Sequence, residues 1–230
     1  LSRARIRWLM ALTRPWANSV AYIARKMTGR PNSSNIRFPV SLINPTIYID
    51  PRKVERITSL AIKPRSGCPY FLSGDWQKTA ETTAERFIRD PKYRTAQEII
   101  LHNWPLEMTS ETKWVEEKIQ ESGNYRGYQS ATQFMSHVSH LYTSLGKIGY
   151  RRTMVERLIP WVGGIECVVG PDYELIKINA GNHRFAGAYV IGLSSIPVQI
   201  CAIDECYQEV NIDPITIITK VQRSVEDKYR

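Results

Sequence analysis

The apolar periodicity changes after Pro160, and that change constrains the fold more than any other feature of the chain. Ile165 to Val169 is a short apolar run interrupted by one acid, Glu166, and predicts a strand. Gly170-Pro171-Asp172 predicts a turn. Glu174 to Ile178 then alternates Leu175 and the aliphatic stem of Lys177 against Ile176 and Ile178, which predicts a second strand and, with the first, a hairpin. Asn179-Ala180-Gly181-Asn182-His183-Arg184 opens a helix carrying Phe185, Ala188, Tyr189 and Leu193, with Gly192 near its end. Ile196 to Ile200 predicts a further strand. The succession of strand, turn, strand, glycine-rich turn, helix and strand predicts an α+β fold whose small mixed sheet lies on the C-terminal side.

Upstream of Pro160 the period is mostly helical. Thr82 to Arg89, Ser110 to Glu121 and Ser130 to Leu145 predict helices; the last places Phe134, Val138, Leu141 and Leu145 on one side. Ile47 to Ile49 predicts a short strand closed by Asp50-Pro51, Pro51 to Ile57 one helical turn or a loop, and Lys63 to Asp75 irregular chain. Gly29 to Asn35 reads as a linker. Three segments follow: a basic amphipathic arm over 1–37, a mostly helical segment over 38–160 packed on the core, and the core itself over 161–230.

Charge separates the arm from the rest. Of a net charge of +9, eight come from Arg3, Arg5, Arg7, Arg14, Arg25, Lys26, Arg30 and Arg37, all of which precede the first acid, Asp50. The main body is nearly neutral, so the basic balance does not mark it as a nucleic-acid-binding domain. Trp16, Val20, Ile23 and Met27 recur at helical spacing in the arm. Such a stripe packs on its own domain, lies on an anionic membrane surface or, with its basic faces, meets nucleic-acid phosphates. No apolar run approaches the ~18 residues of a membrane-spanning helix. Cys68, Cys167, Cys201 and Cys206 form no C-x-x-C pair, so a zinc ribbon is not indicated and free thiols in a reducing, cytoplasmic setting are expected.

The helix start supplies the candidate chemistry. Its backbone N–H groups have no helical acceptors and carry partial positive charge, so Gly181, Asn182, His183 and Arg184 form a cradle suited to phosphate. Gly181 allows close backbone approach, Arg184 offers a planar fork of donors, and His183 can donate a hydrogen bond or move a proton. Asn182 can cap the helix, and an N-cap beside a solvated His and Arg is the plainer alternative.

Ala180-Gly181-Asn182-His183-Arg184-Phe185-Ala186-Gly187-Ala188, followed by Gly192-Leu193-Ser194-Ser195-Ile196-Pro197-Val198, resembles the ParB/sulfiredoxin-like superfamily. Its members share a Gly-x-x-Arg box at a helix start and a downstream hydrophobic-Pro-Val strand. The resemblance spans roughly Ile165 to Ala202. Tyr48-Ile49-Asp50-Pro51 and Gly74-Asp75-Trp76 resemble segments of an uncharacterised bacterial and archaeal subgroup that carries this domain at the C-terminal end. The resemblance implies binding of nucleotide phosphates at the box. Sulfiredoxins hold a catalytic cysteine where this chain has Asn182, so sulfinic acid reduction is not expected. ParB segregation proteins follow the box with a helix-turn-helix region, for which about thirty residues after Ile200, including Pro214, leave no room. Free-serine kinases of the superfamily keep a His-Arg box and activate a hydroxyl with a carboxylate.

That last comparison implies a nucleotide-dependent phosphotransferase acting on a small hydroxyl compound, with ATP or another nucleoside triphosphate and Mg²⁺ as cofactors. Such transfer needs a held polyphosphate, charge neutralisation and an acceptor placed by a base. His183 and Glu166 are the candidate catalytic residues, with Glu166 also the candidate metal ligand on the strand beside the box. Asp50, Asp75 and Trp76 are weaker candidates for substrate or base contacts, each with a turn-forming or core role as the plainer reading. His137 and His140, spaced i, i+3, read as partly buried structural residues, and His102 has no assignment. Two alternatives remain open: a nucleotide-gated DNA-binding or nuclease module using the arm, and a non-catalytic nucleotide sensor at a membrane surface.

Overall fold

The computed structural model describes residues 46–59, 70–151, 164–209, 212 and 214–230. The basic arm, the Gly29–Asn35 linker, the Trp16 stripe, most of the irregular stretch after Lys63 and Cys68 all lie outside these residues.

A mixed sheet of seven strands and six α-helices make up the described chain. The strands are β1 (Thr46–Ile49), β2 (Arg56–Thr58), β3 (Tyr70–Leu72), β4 (Ala80–Thr82), β5 (Ile165–Val169), β6 (Leu175–Lys177) and β7 (Ile196–Asp204). Their order is β1-β7-β5-β6-β2-β4, and β3 pairs with the far half of β7. Every residue of β7 is buried, as expected for a strand with neighbours on both sides. β5 runs parallel to it, with Ile165 beside Val198 and Val169 beside Ile203; β1 runs antiparallel along its other edge, with Ile47 beside Val198. β5 and β6 form the expected antiparallel hairpin, Val168 facing Ile176. Four of the seven strands therefore come from residues 38–160, and the sheet is not confined to the C-terminal segment. β2 and β3 occupy stretches whose sequence suggests loop; three residues each, they are too short for a period to show.

The helices are α1 (Thr83–Arg89), α2 (Pro91–Ile100), α3 (Ser110–Ser122), α4 (Ala131–Ile148), α5 (Asn182–Ile191) and α6 (Pro214–Tyr229). Thr82 and Glu85 form a capping box on α1, and Asp90 ends α1 while capping α2, whose first residue is Pro91. The Ser110 N–H at the start of α3 donates to the carboxylate of buried Glu98 at 2.7 Å. α2 and α6 extend the helical content beyond the three upstream helices expected. No helix among the described residues is long and apolar enough to cross a membrane.

Alternation along the strands assigns two faces. Ile165, Cys167, Val169, Leu175, Val198 and Ile200 point to the face where Phe185, Tyr93, Val115, Phe134 and Val138 from the helices complete the main core. Val168, Ile176, Ile178, Cys201 and Ala202 point the other way, against Trp76. A register shift between Cys167 and Val168 inserts one residue of β7, which keeps Ile203 on the same face as Val169.

A candidate anion-binding site at the start of helix α5

The loop from β6 to α5 is fixed from inside by a buried lysine. Lys177 is wholly inaccessible, and its Nζ donates to Ile178 O at 2.5 Å, Ala180 O at 2.6 Å and Asn182 Oδ1 at 2.7 Å. It also lies 5.6 Å from the Phe185 ring. Burial pushes its pKa down to about 7, against an opposing pull from Cys167 and Glu166. One side chain thus satisfies two loop carbonyls and orients the first residue of the helix. The sequence pattern identifies only its aliphatic stem.

Gly181 occupies the N-cap position at φ +67°, with no side-chain cap. A Cβ there would sit 2.7 Å from Gly164 O and 2.9 Å from Ile165 Cα, so the loop rests directly on the start of β5. Asn182 is the first helical residue and not the cap: its Oδ1 accepts from Lys177 and from the Tyr93 hydroxyl at 3.3 Å, and its Nδ2 donates to Asn179 Oδ1 at 2.7 Å. Phe185 N–H makes the first helical bond, to Gly181 O at 3.0 Å. The amides of Asn182, His183 and Arg184 precede it and have no carbonyl one turn back.

His183 turns into the helical layer, not into solvent. Its Nε2 lies 2.8 and 3.0 Å from the two carboxylate oxygens of Glu111, a fully buried residue in the first turn of α3. The edge of Phe134 packs on the ring at 5.7 Å. Glu111 carries no sequence mark of this role; its place in a helical first turn reads as dipole compensation.

His183, Arg184, Gly181 and Asn182 form one wall of a cleft of about 360 Å³. Arg126, Tyr128 and His137 line it too, with Phe134, Val138 and Leu141 from α4. Arg126 reaches it from the tight turn in which Tyr125 and Tyr128 pair their backbones. None of the described residues lining the cleft is acidic. Its donor set of guanidinium groups, imidazoles, amides and a helix start suits an anion with a flat or apolar portion. Among the described residues it offers no carboxylate oxygens to hold magnesium; such an ion would arrive on the ligand's own phosphates.

Several expected site residues lie elsewhere. Glu166 follows the strand alternation to the face opposite the box, in an interior strand between β7 and β6, and is neither beside the cleft nor a solvent-facing edge residue. Burial raises its pKa to about 6. Trp76 packs on that same opposite face and donates from Nε1 to Asp204 Oδ2 at 3.1 Å, at the end of β7 roughly 16 Å along the strands from the box. Asp75 is exposed and paired with Lys78. Asp50 caps the turn at Pro51–Lys53 and pairs with Arg52 at 2.6 Å; the guanidinium hydrogen bond holds its carboxyl below the ordinary range. Arg52 approaches Gly192, at the far end of α5 from the cleft. His137 and His140 are exposed rather than partly buried, and only His137 lines the cleft. Cys167 and Cys201 are buried and Cys206 exposed, all three as free thiols. The comparisons with other proteins add nothing to this geometry. No family model, curated protein or solved structure matches the chain.

Proposed function

We propose that the chain binds the phosphates of a nucleotide in the cleft at the start of α5, the amides of Asn182, His183 and Arg184 and the guanidinium groups of Arg184 and Arg126 meeting the phosphate oxygens. One observation carries this reading: cations and a helix start converge on a cleft whose lining, among the described residues, holds no carboxylate. Tyr128 and Phe134, 5.6 Å apart edge to face, offer an aromatic wall for the base or sugar. The likeness of the box to ParB/sulfiredoxin-like proteins supports the same ligand class, and membership of that superfamily is part of the proposal. A phosphotransferase built on this cleft uses a carboxylate other than Glu166 to activate its acceptor hydroxyl, because Glu166 faces the opposite side of the sheet.

Calorimetric titration of ATP, CTP, GTP and tripolyphosphate, with and without Mg²⁺, tests the reading. Binding weakened about tenfold or more by Arg184→Ala or Arg126→Ala supports it, as expected for loss of one charge-assisted pair. Absence of heat with all four probes at millimolar concentration refutes it. Hydrolysis of a bound triphosphate that rises on addition of a small hydroxyl compound identifies the phosphotransferase.

A further inference from the structure

We infer that Glu111 and His183 act as one buried pair that keeps a proton on Nδ1 of His183, so that the ring meets an anionic ligand as an N–H donor and not as a proton acceptor. This rests on the anion-binding reading above and extends it to the protonation state of the site.

The pair has an unusual set of surroundings. Glu111 is 0% exposed, and both of its carboxylate oxygens lie within 3.0 Å of one nitrogen, Nε2 of His183. The hydroxyl of Thr95 beside it accepts the Glu111 backbone N–H, not the reverse, so it does nothing for the carboxylate. With Nε2 engaged, Nδ1 is the ring nitrogen left for the cleft that His183 lines. Two protonation states compete. If Nδ1 is bare and Nε2–H donates to an ionised Glu111, the pair carries a net negative charge inside the helical layer. If Nδ1 carries a proton, the pair is neutral wherever the shared proton sits. Burial of a net charge is the costlier arrangement, and placing the neutralising proton on Glu111 instead of Nδ1 gives up the charge-assisted contact at 2.8 Å, so the second proton stays on the ring.

Other groups around the pair decide whether this balance holds. Arg184, Arg126 and His137 on the cleft side, and Lys177 reached through Asn182, all favour the bare ring. Tyr142 from α4 and Tyr93 from α2 have their hydroxyl pKa values driven up by burial, so both stay neutral and neither adds negative charge. Phe134 contributes only its ring edge. Among these groups Glu111 alone is at hydrogen-bond distance from the imidazole, and a contact at 2.8 Å outweighs charges further away across an open cleft. His183 is then a donor to a phosphate oxygen near neutral pH, and a general base must be sought elsewhere.

Nitrogen-15 spectroscopy of the full chain, labelled at histidine and assigned with His183→Gln, tests this without any ligand. The expected result is a ring of His183 protonated at both nitrogens at pH 7. In Glu111→Gln the Nδ1 proton is lost at that pH. Tripolyphosphate affinity of that variant drops about tenfold at pH 8 while matching wild type at pH 5.5, where the ring is protonated in both. A bare Nδ1 in the wild type at pH 7, or an unchanged ring spectrum in Glu111→Gln, overturns the inference. Should Glu111→Gln not fold, the wild-type spectrum decides alone. A doubly protonated ring without tripolyphosphate binding leaves the protonated pair standing and removes the ligand reading instead.

Discussion

Gly181→Ala separates a glycine required by contact from one required only by backbone conformation. At φ +67° an alanine meets the left-handed penalty of about 1–2 kcal/mol. Its Cβ would also lie 2.7 Å from Gly164 O and 2.9 Å from Ile165 Cα, both backbone atoms of the sheet that cannot rotate away. Moving the loop off β5 strains the three hydrogen bonds from Lys177, and overpacking of this kind adds about 1–3 kcal/mol. The sum is roughly 2–5 kcal/mol, or a fall in Tm on the order of 5–15 °C for a chain of this size. Gly123→Ala is the matched control: it has φ +77°, yet nothing lies within 4 Å of the added carbon, so only the conformational cost of about 1–2 kcal/mol applies. Urea and thermal unfolding of the two variants measure the difference directly. Equal losses in both would show that the loop does not rest on β5, and the positioning of the helix start argued above would fail with it.

Gly187→Ala places a Cβ 2.6 Å from a ring carbon of Tyr142 and is expected to cost about 1–3 kcal/mol by separating α5 from α4, read as a lower urea midpoint with unchanged slope. Glu166 has a folded pKa raised to about 6 from 4.5, so the folded chain binds the extra proton between these values. Its stability contribution is present below pH 4.5 and is lost as pH rises through 6, by about 2 kcal/mol. Glu166→Gln therefore raises stability at pH 7 by a similar amount and removes that slope, as denaturant unfolding at pH 4.5 and 7 would record. Asn182→Ala leaves Lys177 one acceptor short and is expected to lower stability by about 1–3 kcal/mol, read from urea unfolding, whereas Arg184→Ala is expected to weaken phosphate binding.

The hairpin and the helix after it were legible because each signal there is local. Alternation over Glu174–Ile178, a Gly-Pro-Asp turn, and glycines at both ends of α5 are fixed by neighbours in sequence, and the structure places all of them as expected. What sequence could not supply was side-chain direction across long separations. Glu166 sits on the expected strand, but one residue of pleat decides its face, and Cys167 takes the side that looks toward the box. Lys177 in an alternating strand resembles an outward lysine until the loop carbonyls close around its ammonium. Glu111 lies 72 residues from the imidazole it contacts, and no period connects them. The exposed positions of His137 and His140 on α4 follow from Phe134, Val138 and Leu145 taking the core side, a stripe the sequence showed but did not orient.

Two inaccessible ionisable groups, one basic and one acidic, reach the same helical turn, Lys177 through Asn182 and Glu111 through His183. Either group alone would be costly to bury, and neither contributes as much stability as an apolar residue of like volume would. Their effect is on position. Lys177 fixes the loop carbonyls and the side chain of the first helical residue; Glu111 fixes that of the second. Arg184, one residue further on, is the first side chain of the turn on the cleft wall that neither buried charge engages in a hydrogen bond. The side chains marked by sequence as binders therefore divide: Asn182 is mostly scaffold, His183 offers one nitrogen, and the leading amides face the cleft beside Arg184. An anion entering such a site finds the leading amides already fixed by the loop, which is where preorganised electrostatics gains over the same groups in water.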